Sequence, residues 1–121
     1  MSTLRVSTIQ DTAGSNSSTP AAIANGICKA WVNFNGTGTV AIRAQYNVSS
    51  ITDNGTGDYT LNFTTAMTDA NYSAAGIHSE DLQYANSFIP VTYAASSFRF
   101  HTREYNTGNI DAAFINVAIF R

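Results

Sequence analysis

The sequence predicts an all-β protein, an antiparallel β-sandwich of jelly-roll-like type, with an extended N-terminal arm and one short helix. Two observations predict this fold class. Apolar and polar residues alternate in about eight short segments, and glycine-containing turns separate these segments at regular spacing. At 121 residues the chain is long enough for one domain with a buried core. We therefore expect an arm and linker over residues 1–19 and a β-sandwich domain over residues 20–121.

The N-terminal segment contains a short apolar pattern followed by a polar stretch. Residues 4–9 predict a short strand, and residues 11–18 are rich in Ser, Asn, Asp and Gly, as in a linker. Ordering a segment costs conformational entropy, and residues 3–14 hold few apolar side chains to offset that cost. We therefore expect residues 3–14 to stay outside the core and to lie along a neighbouring subunit or remain mobile.

One short helix is indicated by its start and stop signals. Thr19 is a favoured N-cap residue, and Pro20 suits the first helical position because its backbone lacks an N–H. The alanine-rich residues that follow continue the helix, and Gly26 is placed to end it as a C-terminal cap.

A strand, a tight turn and a longer strand form the first hairpin. Residues 30–34 place Ala, Val and Phe on one face, while Trp31 falls on the other. Asn35-Gly36 supplies the turn, and alternation resumes over residues 40–46. The turn sequence Asn-Gly-Thr-Gly recurs over residues 54–57, which predicts a second reversal before the next strand.

Further strands are predicted over residues 58–63, 71–77, 88–94 and 97–103. The third of these contains Pro90, which belongs at a sheet edge or at a bulge because it cannot donate a backbone hydrogen bond. The intervening loops, residues 78–87 and 103–110, are polar and carry aromatic residues, as binding loops often do.

The last strand, residues 112–120, is apolar on both faces. Such a strand is expected in the centre of a sheet with both faces covered. Since a sandwich covers only one face of each strand, a neighbouring subunit is expected to cover the other. The side chains placed at that subunit interface are those of Trp31, Ile115, Val117 and Ile119.

Charge and composition exclude several classes of partner. Charged residues are only 12% of the chain and the net charge is −2, so a clustered basic face for nucleic acid is not expected. No apolar run reaches the length needed to cross a bilayer, and no membrane insertion is expected. The single cysteine, Cys28, fits a reducing compartment and is interpreted as a small residue at the helix-to-strand junction.

Candidate binding residues lie on one strand and in two loops. Arg99, His101 and Arg103 alternate on one strand face, where planar guanidinium groups are able to bind carboxylates; an ordinary solvated face is the alternative. Tyr84 and Tyr105 fall in loops and are candidates for stacking against sugars.

No catalytic residue, cofactor or metal is predicted. The sequence has no nucleophile-elbow motif and no paired carboxylates at a recognisable spacing. Two histidines and three acidic residues are of the types that bind metals, but they lack the spacing of metal ligands. They are His78, His101, Glu80, Asp81 and Glu104.

Two segments resemble elements of tail-fibre and receptor-binding structural proteins of tailed bacteriophages. Residues 29–38, Lys-Ala-Trp-Val-Asn-Phe-Asn-Gly-Thr-Gly, are similar to one recurring element, and residues 46–63 to another. The arm with its Asp-Thr-Ala-Gly turn and the terminal Val-Ala-Ile-Phe strand are also typical. The resemblance is strongest over residues 28–70 and weakest over residues 77–110.

The resemblance implies a structural, non-enzymatic protein of the virion that assembles as a homotrimer. It implies that the arm contacts other tail or capsid proteins and that the variable loops meet a glycan or protein receptor on the bacterial surface. A monomeric, lectin-like carbohydrate-binding module is the main alternative, and a small glycan-processing enzyme is a third.

Overall fold

The computed structural model describes residues 1–79 and 86–121. Within them the chain forms one helix, α1, and eleven strands, which are listed here with their bounds. They are β1 (Ile9–Gln10), β2 (Ser17–Ser18), α1 (Pro20–Gly26), β3 (Cys28–Asn35), β4 (Ala41–Tyr46), β5 (Val48–Gly55), β6 (Asp58–Phe63), β7 (Ser73–Ser79), β8 (Asn86–Ala94), β9 (Ser97–Glu104), β10 (Gly108–Asn109) and β11 (Phe114–Phe120).

The main strands form two antiparallel sheets. Sheet I has the order β4-β3-β11-β7, and sheet II has the order β10-β9-β6-β5 with β8 also paired to β9. The terminal strand β11 lies between β3 and β7, which confirms its predicted central position. The prediction of an all-β antiparallel sandwich is confirmed; the jelly-roll-like connectivity and the homotrimer remain predictions.

A single apolar core lies between the two sheets. Alternate residues of β3 and β11 point inward from sheet I, and alternate residues of β6 and β9 point inward from sheet II. Aromatic rings dominate the centre, where Phe34 meets Tyr59 edge-on at 5.2 Å and Phe100 stacks on Phe88 at 4.7 Å. Such contacts add to the stabilisation from burial alone.

The helix begins as its sequence predicts and ends differently. The Thr19 side chain accepts a hydrogen bond from the Ala22 N–H at 3.1 Å, and Pro20 is the first helical residue. The predicted glycine cap is wrong, because Gly26 is still helical and the cap is Ile27 in an extended conformation. The Ile27 N–H closes the last turn on the Ile23 carbonyl at 3.1 Å, and the chain passes directly into β3.

The arm stays outside the core, as predicted. All residues from 1 to 22 are exposed, and the strand predicted over residues 4–9 is reduced to Ile9–Gln10, paired with β2. Asp11 organises the turn between them by accepting hydrogen bonds from the Ser15 N–H at 2.9 Å and from the Asn16 amide.

Strand β5 was missed by the sequence pattern. The predicted reversal over residues 52–58 is shorter than expected, because β5 continues through Gly55 in pairing with β6. The strand lies at the edge of sheet II, and most of its residues are exposed and polar. Apolar alternation is weak in such a strand, so the pattern gave no strand signal.

Both ends of the sandwich are joined across the two sheets. At one end Asn47, with a left-handed φ of 55°, connects β4 to β5. Its amide donates to the carbonyls of Lys29 and Thr65, both at 3.1 Å, and accepts from the Thr65 N–H at 2.7 Å. Helix α1 and Arg121 lie at this end, which we call the arm end.

The opposite end, the loop end, is held by a buried tyrosine hydroxyl. The Tyr59 hydroxyl lies 2.7 Å from Asp111 Oδ1 and 3.1 Å from the Gly36 carbonyl. Asp111 also accepts from the Gly57 N–H at 2.8 Å, and the Gly36 N–H donates to the Ala112 carbonyl at 2.9 Å. These contacts, the Tyr59–Asp111 network, tie both glycine turns to the segment before β11.

Gly36 has no space beside it for a methyl group, so adding one is expected to destabilise the fold. A Cβ at this position meets the Tyr59 hydroxyl at 2.5 Å and Ile115 Cδ1 at 2.8 Å, and both side chains are fully buried. We expect Gly36→Ala to lower the free energy of unfolding by about 1–3 kcal/mol, the usual cost of overpacking. Urea unfolding of the variant measures the change.

Gly26→Ala is the matched control, because a Cβ there meets nothing within 4 Å. In a helix this change is expected to be neutral or stabilising by about 0.5–1 kcal/mol. Equal unfolding midpoints for Gly36→Ala and the parent would contradict the close packing at the loop end.

Candidate interaction surfaces

The outer face of sheet I is an exposed apolar surface. Five large side chains on it are between 38% and 67% exposed. They come from all four strands, so the surface is continuous across the sheet. These residues are Trp31, Tyr46, Ile77, Phe114 and Phe120.

Charge is scarce on this face. The four strands of sheet I contain Lys29 and Arg43 but no Asp or Glu. The Arg43 guanidinium lies 4.1 Å from the centre of the Phe114 ring, in a cation–π contact. The Asn33 side-chain amide donates to the side-chain oxygen of Asn116 at the centre of the sheet. The face is thus suited to being covered by another surface without stranding a charge.

The structure corrects which face of β11 is open. Ile115, Val117 and Ile119 were expected at a subunit interface, but they are 0%, 3% and 0% exposed and belong to the chain's own core. The open positions of the same strand are Phe114 and Phe120, at 49% and 38%. Both faces of β11 are apolar, so the sequence alone did not distinguish the inner face from the outer.

Trp31 lies on the open face, opposite the core-facing Val32, as its position in the alternation predicts. It pairs in register with Tyr46 on one side and Ala118 on the other. With Ile77 and Ala75 it borders a shallow depression of about 490 Å³. Ile77 was missed because its neighbours in β7 are small residues, which gave the strand no apolar stripe.

The outer face of sheet II is polar, and an ion pair crosses it. The Arg99 guanidinium donates two hydrogen bonds to the Asp58 carboxylate, at 2.9 and 2.6 Å. These bonds hold the pKa of Asp58 below its usual value, with help from the charges of Arg99 and His101. His101 Nε2 lies 3.4 Å from the same carboxylate. Arg99 and His101 therefore share one acidic partner within the chain.

Neutral side chains extend this polar face across β5 and β6. The Asn54 amide donates to the Thr60 hydroxyl at 2.9 Å, and the Asn62 amide donates to the hydroxyls of Thr52 and Ser50 at 2.9 and 3.1 Å. Amide and hydroxyl groups of this kind offer both donors and acceptors to a ligand.

Arg103 and Tyr105, two of the predicted binding residues, line one depression near the loop end. Ser87, Ile89 and Glu104 also line this depression, which has a volume of about 180 Å³. Tyr105 is 79% exposed, and Glu104 is engaged by the Thr107 hydroxyl at 2.6 Å. Tyr84, the other tyrosine singled out from the sequence, lies outside the described residues.

The two histidines do not come together. His78 points into the sandwich, 4% exposed, with Nε2 3.3 Å from the Ser87 carbonyl, while His101 lies on the outer face of sheet II. Over residues 1–79 and 86–121 no group of three or more metal-ligating side chains is assembled. Glu80 and Asp81 fall outside those ranges.

Comparison of the chain with protein-family models, with curated proteins and with solved structures gives no match. Within the described ranges, no helix has the length and apolar character needed to span a membrane. The class that the structure defines is therefore an all-β sandwich with one apolar and one polar outer face. The two outer faces and the two ends of the sandwich are the surfaces that it offers to partners.

The Arg99–Asp58 pair predicts that the free energy of unfolding depends on pH. Because the pKa of Asp58 is lowered by folding, the pair stabilises the protein above the usual carboxyl pKa of 3.8, and this contribution is lost as the pH falls through the lowered pKa. Its size is small, about 0–1 kcal/mol, since the Arg99 side chain is 44% exposed. In Arg99→Gln we expect the pKa of Asp58, followed by carboxyl NMR, to rise toward the usual value.

Arg43→Gln is the control for this titration, since Arg43 lies on sheet I over Phe114. It is expected to leave the pKa of Asp58 unchanged. An Asp58 pKa that is the same in Arg99→Gln and the parent would show that Arg99 does not control this carboxyl group.

Proposed function

We propose that the protein is a virion structural protein of a tailed bacteriophage, a trimeric tail-fibre or fibre-like receptor-binding domain that attaches the particle to the bacterial host. The observation that carries this proposal is the separation of its surfaces. An apolar, acid-free sheet face is available for assembly, an exposed arm lies at one end, and the exposed Tyr105 lies at the other. The resemblance of residues 29–38 and 46–63 supports the same role, which is structural and not enzymatic.

Assembly uses the outer face of sheet I. In a threefold ring each interface is formed by two different patches, one from each neighbour. Each large side chain that is fully buried there, such as Ile77 at 67% exposed or Phe114 at 49%, contributes about 1.5–3 kcal/mol relative to exposure. The homotrimer therefore rests on Trp31, Phe114 and Phe120, not on the core residues of β11.

Attachment to the rest of the virion uses the arm. Leu4 is 86% exposed and Ile9 is 54% exposed, and both lie beside Ile23 and Ile27 of the helix region along an apolar groove of about 510 Å³. An exposed groove of this kind is suited to a protein partner. Tail or capsid proteins of the particle are the partners that this role requires.

Receptor binding uses the loop end. Tyr105 and Arg103 line one depression there and offer an aromatic face and a planar cation to a surface glycan or protein. Arg99 and His101 lie further along the same strand but are engaged with Asp58, so they contribute to the polarity of the face more than to direct binding. Since the arm is at the opposite end, the depression remains open when the arm is attached.

A monomeric carbohydrate-binding module is the second proposal. The observation that favours it is the ladder of amides and hydroxyls on sheet II, which resembles a surface for polar ligands and is formed within one chain. Mass measurement in native solution separates the proposals, because a fibre domain is expected at three times the 13.0 kDa of one chain and a module at 13.0 kDa.

Substitution of Ile77 tests the assembly surface. Ile77→Asp places a charge in the middle of the apolar face, where an unpaired charge in a dry interface is costly. We expect the parent to sediment as a trimer and the variant as a folded monomer, with an unchanged circular dichroism spectrum. Analytical ultracentrifugation measures the difference.

Val91→Asp is the matched control, because Val91 is also exposed, at 43%, but lies on β8 of sheet II. It is expected to remain trimeric. A trimer that survives Ile77→Asp, or one that is lost equally in Val91→Asp, would remove sheet I as the assembly surface.

The receptor site is tested at Tyr105. Tyr105→Ala removes an exposed ring and is expected to reduce attachment of the particle to host cells by at least about tenfold, as loss of a stacking contact implies. Tyr105→Phe retains the ring and is expected to keep most of the attachment. Adsorption assays with both variants decide the point, and equal attachment by Tyr105→Ala and the parent would place the receptor site elsewhere.

A further inference from the structure

An open groove lies at the arm end, away from Tyr105. It has a volume of about 880 Å³, within the range of sites that bind small molecules. Its walls come from the start of β3, the end of β4, the loop after β6 and the C-terminus of the chain. The polar and aromatic side chains that line it include Lys29, Tyr46, Thr64, Thr65, Thr68 and Arg121.

The floor of the groove is fixed by hydrogen bonds. Asn47 binds backbone groups of Lys29 and Thr65, and Gln45 accepts from the Val48 N–H at 3.2 Å. These two amides are therefore structural. A ligand would meet a preformed surface, so little ordering entropy is lost on binding.

The two cations of the groove are held in place, but each retains N–H donors for a ligand. Lys29 Nζ donates to the Ala24 carbonyl at 2.5 Å, which uses one of its three N–H groups. Arg121 donates to Asp69 through Nε at 3.1 Å and through one terminal nitrogen at 2.7 Å, which leaves its other terminal nitrogen for a ligand. The lining itself holds two cations and no Asp or Glu, and Asp69, the partner of Arg121, lies outside it. Lys29, whose hydrogen-bond partner is a backbone carbonyl, supplies the positive charge that is complementary to an anion.

We propose that this groove binds a saccharide unit that carries a carboxylate. Lys29 and Arg121 bind the carboxylate through charge-assisted hydrogen bonds. Tyr46, 57% exposed, offers a ring against which a sugar stacks, and the hydroxyls of Thr64, Thr65 and Thr68 exchange hydrogen bonds with sugar hydroxyls. The groove is formed within one chain and is separate from the receptor site at Tyr105. It shares Tyr46 with the outer face of sheet I, where β4 is the edge strand, so the stacking contact requires that assembly leave the Tyr46 ring open.

Lys29 makes the test direct, because it is the only lysine in the sequence. Reductive methylation with ¹³C-formaldehyde labels only its side chain and the terminal amine, and it preserves the positive charge. We expect the Lys29 methyl resonance to shift saturably with the linear trimer of galacturonic acid. The neutral trimer of galactose is expected to bind at least about tenfold more weakly, since the charge-assisted contacts of Lys29 and Arg121 with the carboxylate are lost.

Two variants place the ligand in the groove. Arg121→Gln and Tyr46→Ala are each expected to raise the dissociation constant for the acidic trimer about tenfold, by removing a charged contact and a stacking contact respectively. Arg43→Gln is the matched control, because Arg43 lies over the Phe114 ring and does not line the groove, and it is expected to leave the dissociation constant unchanged. Circular dichroism of each variant confirms the fold, and the parent titration decides the proposal even if one variant fails to fold.

Three results would overturn the proposal. The first is equal binding of the acidic and neutral trimers. The second is a Lys29 shift reproduced by sodium acetate at the same carboxylate concentration, which means that the groove binds any carboxylate without reading the sugar. The third is tighter binding of a tri-aspartate peptide, which would assign the groove to an acidic protein segment.

Discussion

The sandwich depends on one buried hydroxyl group, that of Tyr59. Burial raises the pKa of Tyr59 far above its ordinary value, and the neighbouring Asp111 carboxylate raises it further, so the hydroxyl keeps its proton and remains a donor. Without that donor, the Asp111 carboxylate and the Gly36 carbonyl each lose a partner at the end of the core. Buried polar groups are costly when unpaired, so this one contact fixes how the two glycine turns meet the start of β11.

Gly36 and Gly57 in those turns are required by close approaches at the same end of the sandwich. A side chain at Gly57 would collide with backbone atoms of Ile110 and Thr102 at 2.5–2.6 Å, and its φ of 58° lies in the left-handed region. Gly36 has no room because the Tyr59 hydroxyl occupies the space beside it. The Asn-Gly-Thr-Gly motif therefore occurs twice with different close contacts. Packing constrains its first glycine, Gly36, in one turn and its second glycine, Gly57, in the other.

Local signals in the sequence were reliable where one residue type determines one conformation. Thr19 and Pro20 fixed the start of the helix, and the alternation around Trp31 placed it on the outer face of sheet I. Contacts between distant segments were not predictable. The meeting of Arg103 with Tyr105 and Ser87 depends on the pairing of β8 with β9, which no local pattern encodes.

Strand β11 also shows that a local pattern does not determine contacts between distant segments. Phe114 and Phe120 are as apolar as Ile115 and Ile119, so alternation identifies two faces without saying which one meets sheet II. Only the register with β3, in which Ile115 lies opposite Phe34 and Val117 opposite Val32, selects the inner face. The prediction missed strand β5 for the opposite reason. This strand lies at a polar sheet edge, and it has too few apolar residues to show an alternation.

The helix and the C-terminal Arg121 lie at the same end of the sandwich, and this has a practical consequence for protein engineering. A passenger domain fused after Arg121, or an affinity tag placed before the arm, emerges on the side away from the turns at Gly36 and Gly57. Both chain termini can therefore carry cargo while the far surface stays accessible to solvent. The domain is in this respect a one-sided display scaffold, in which the exposed loop at Tyr105 is open to diversification while the turns at Gly36 and Gly57 stay fixed.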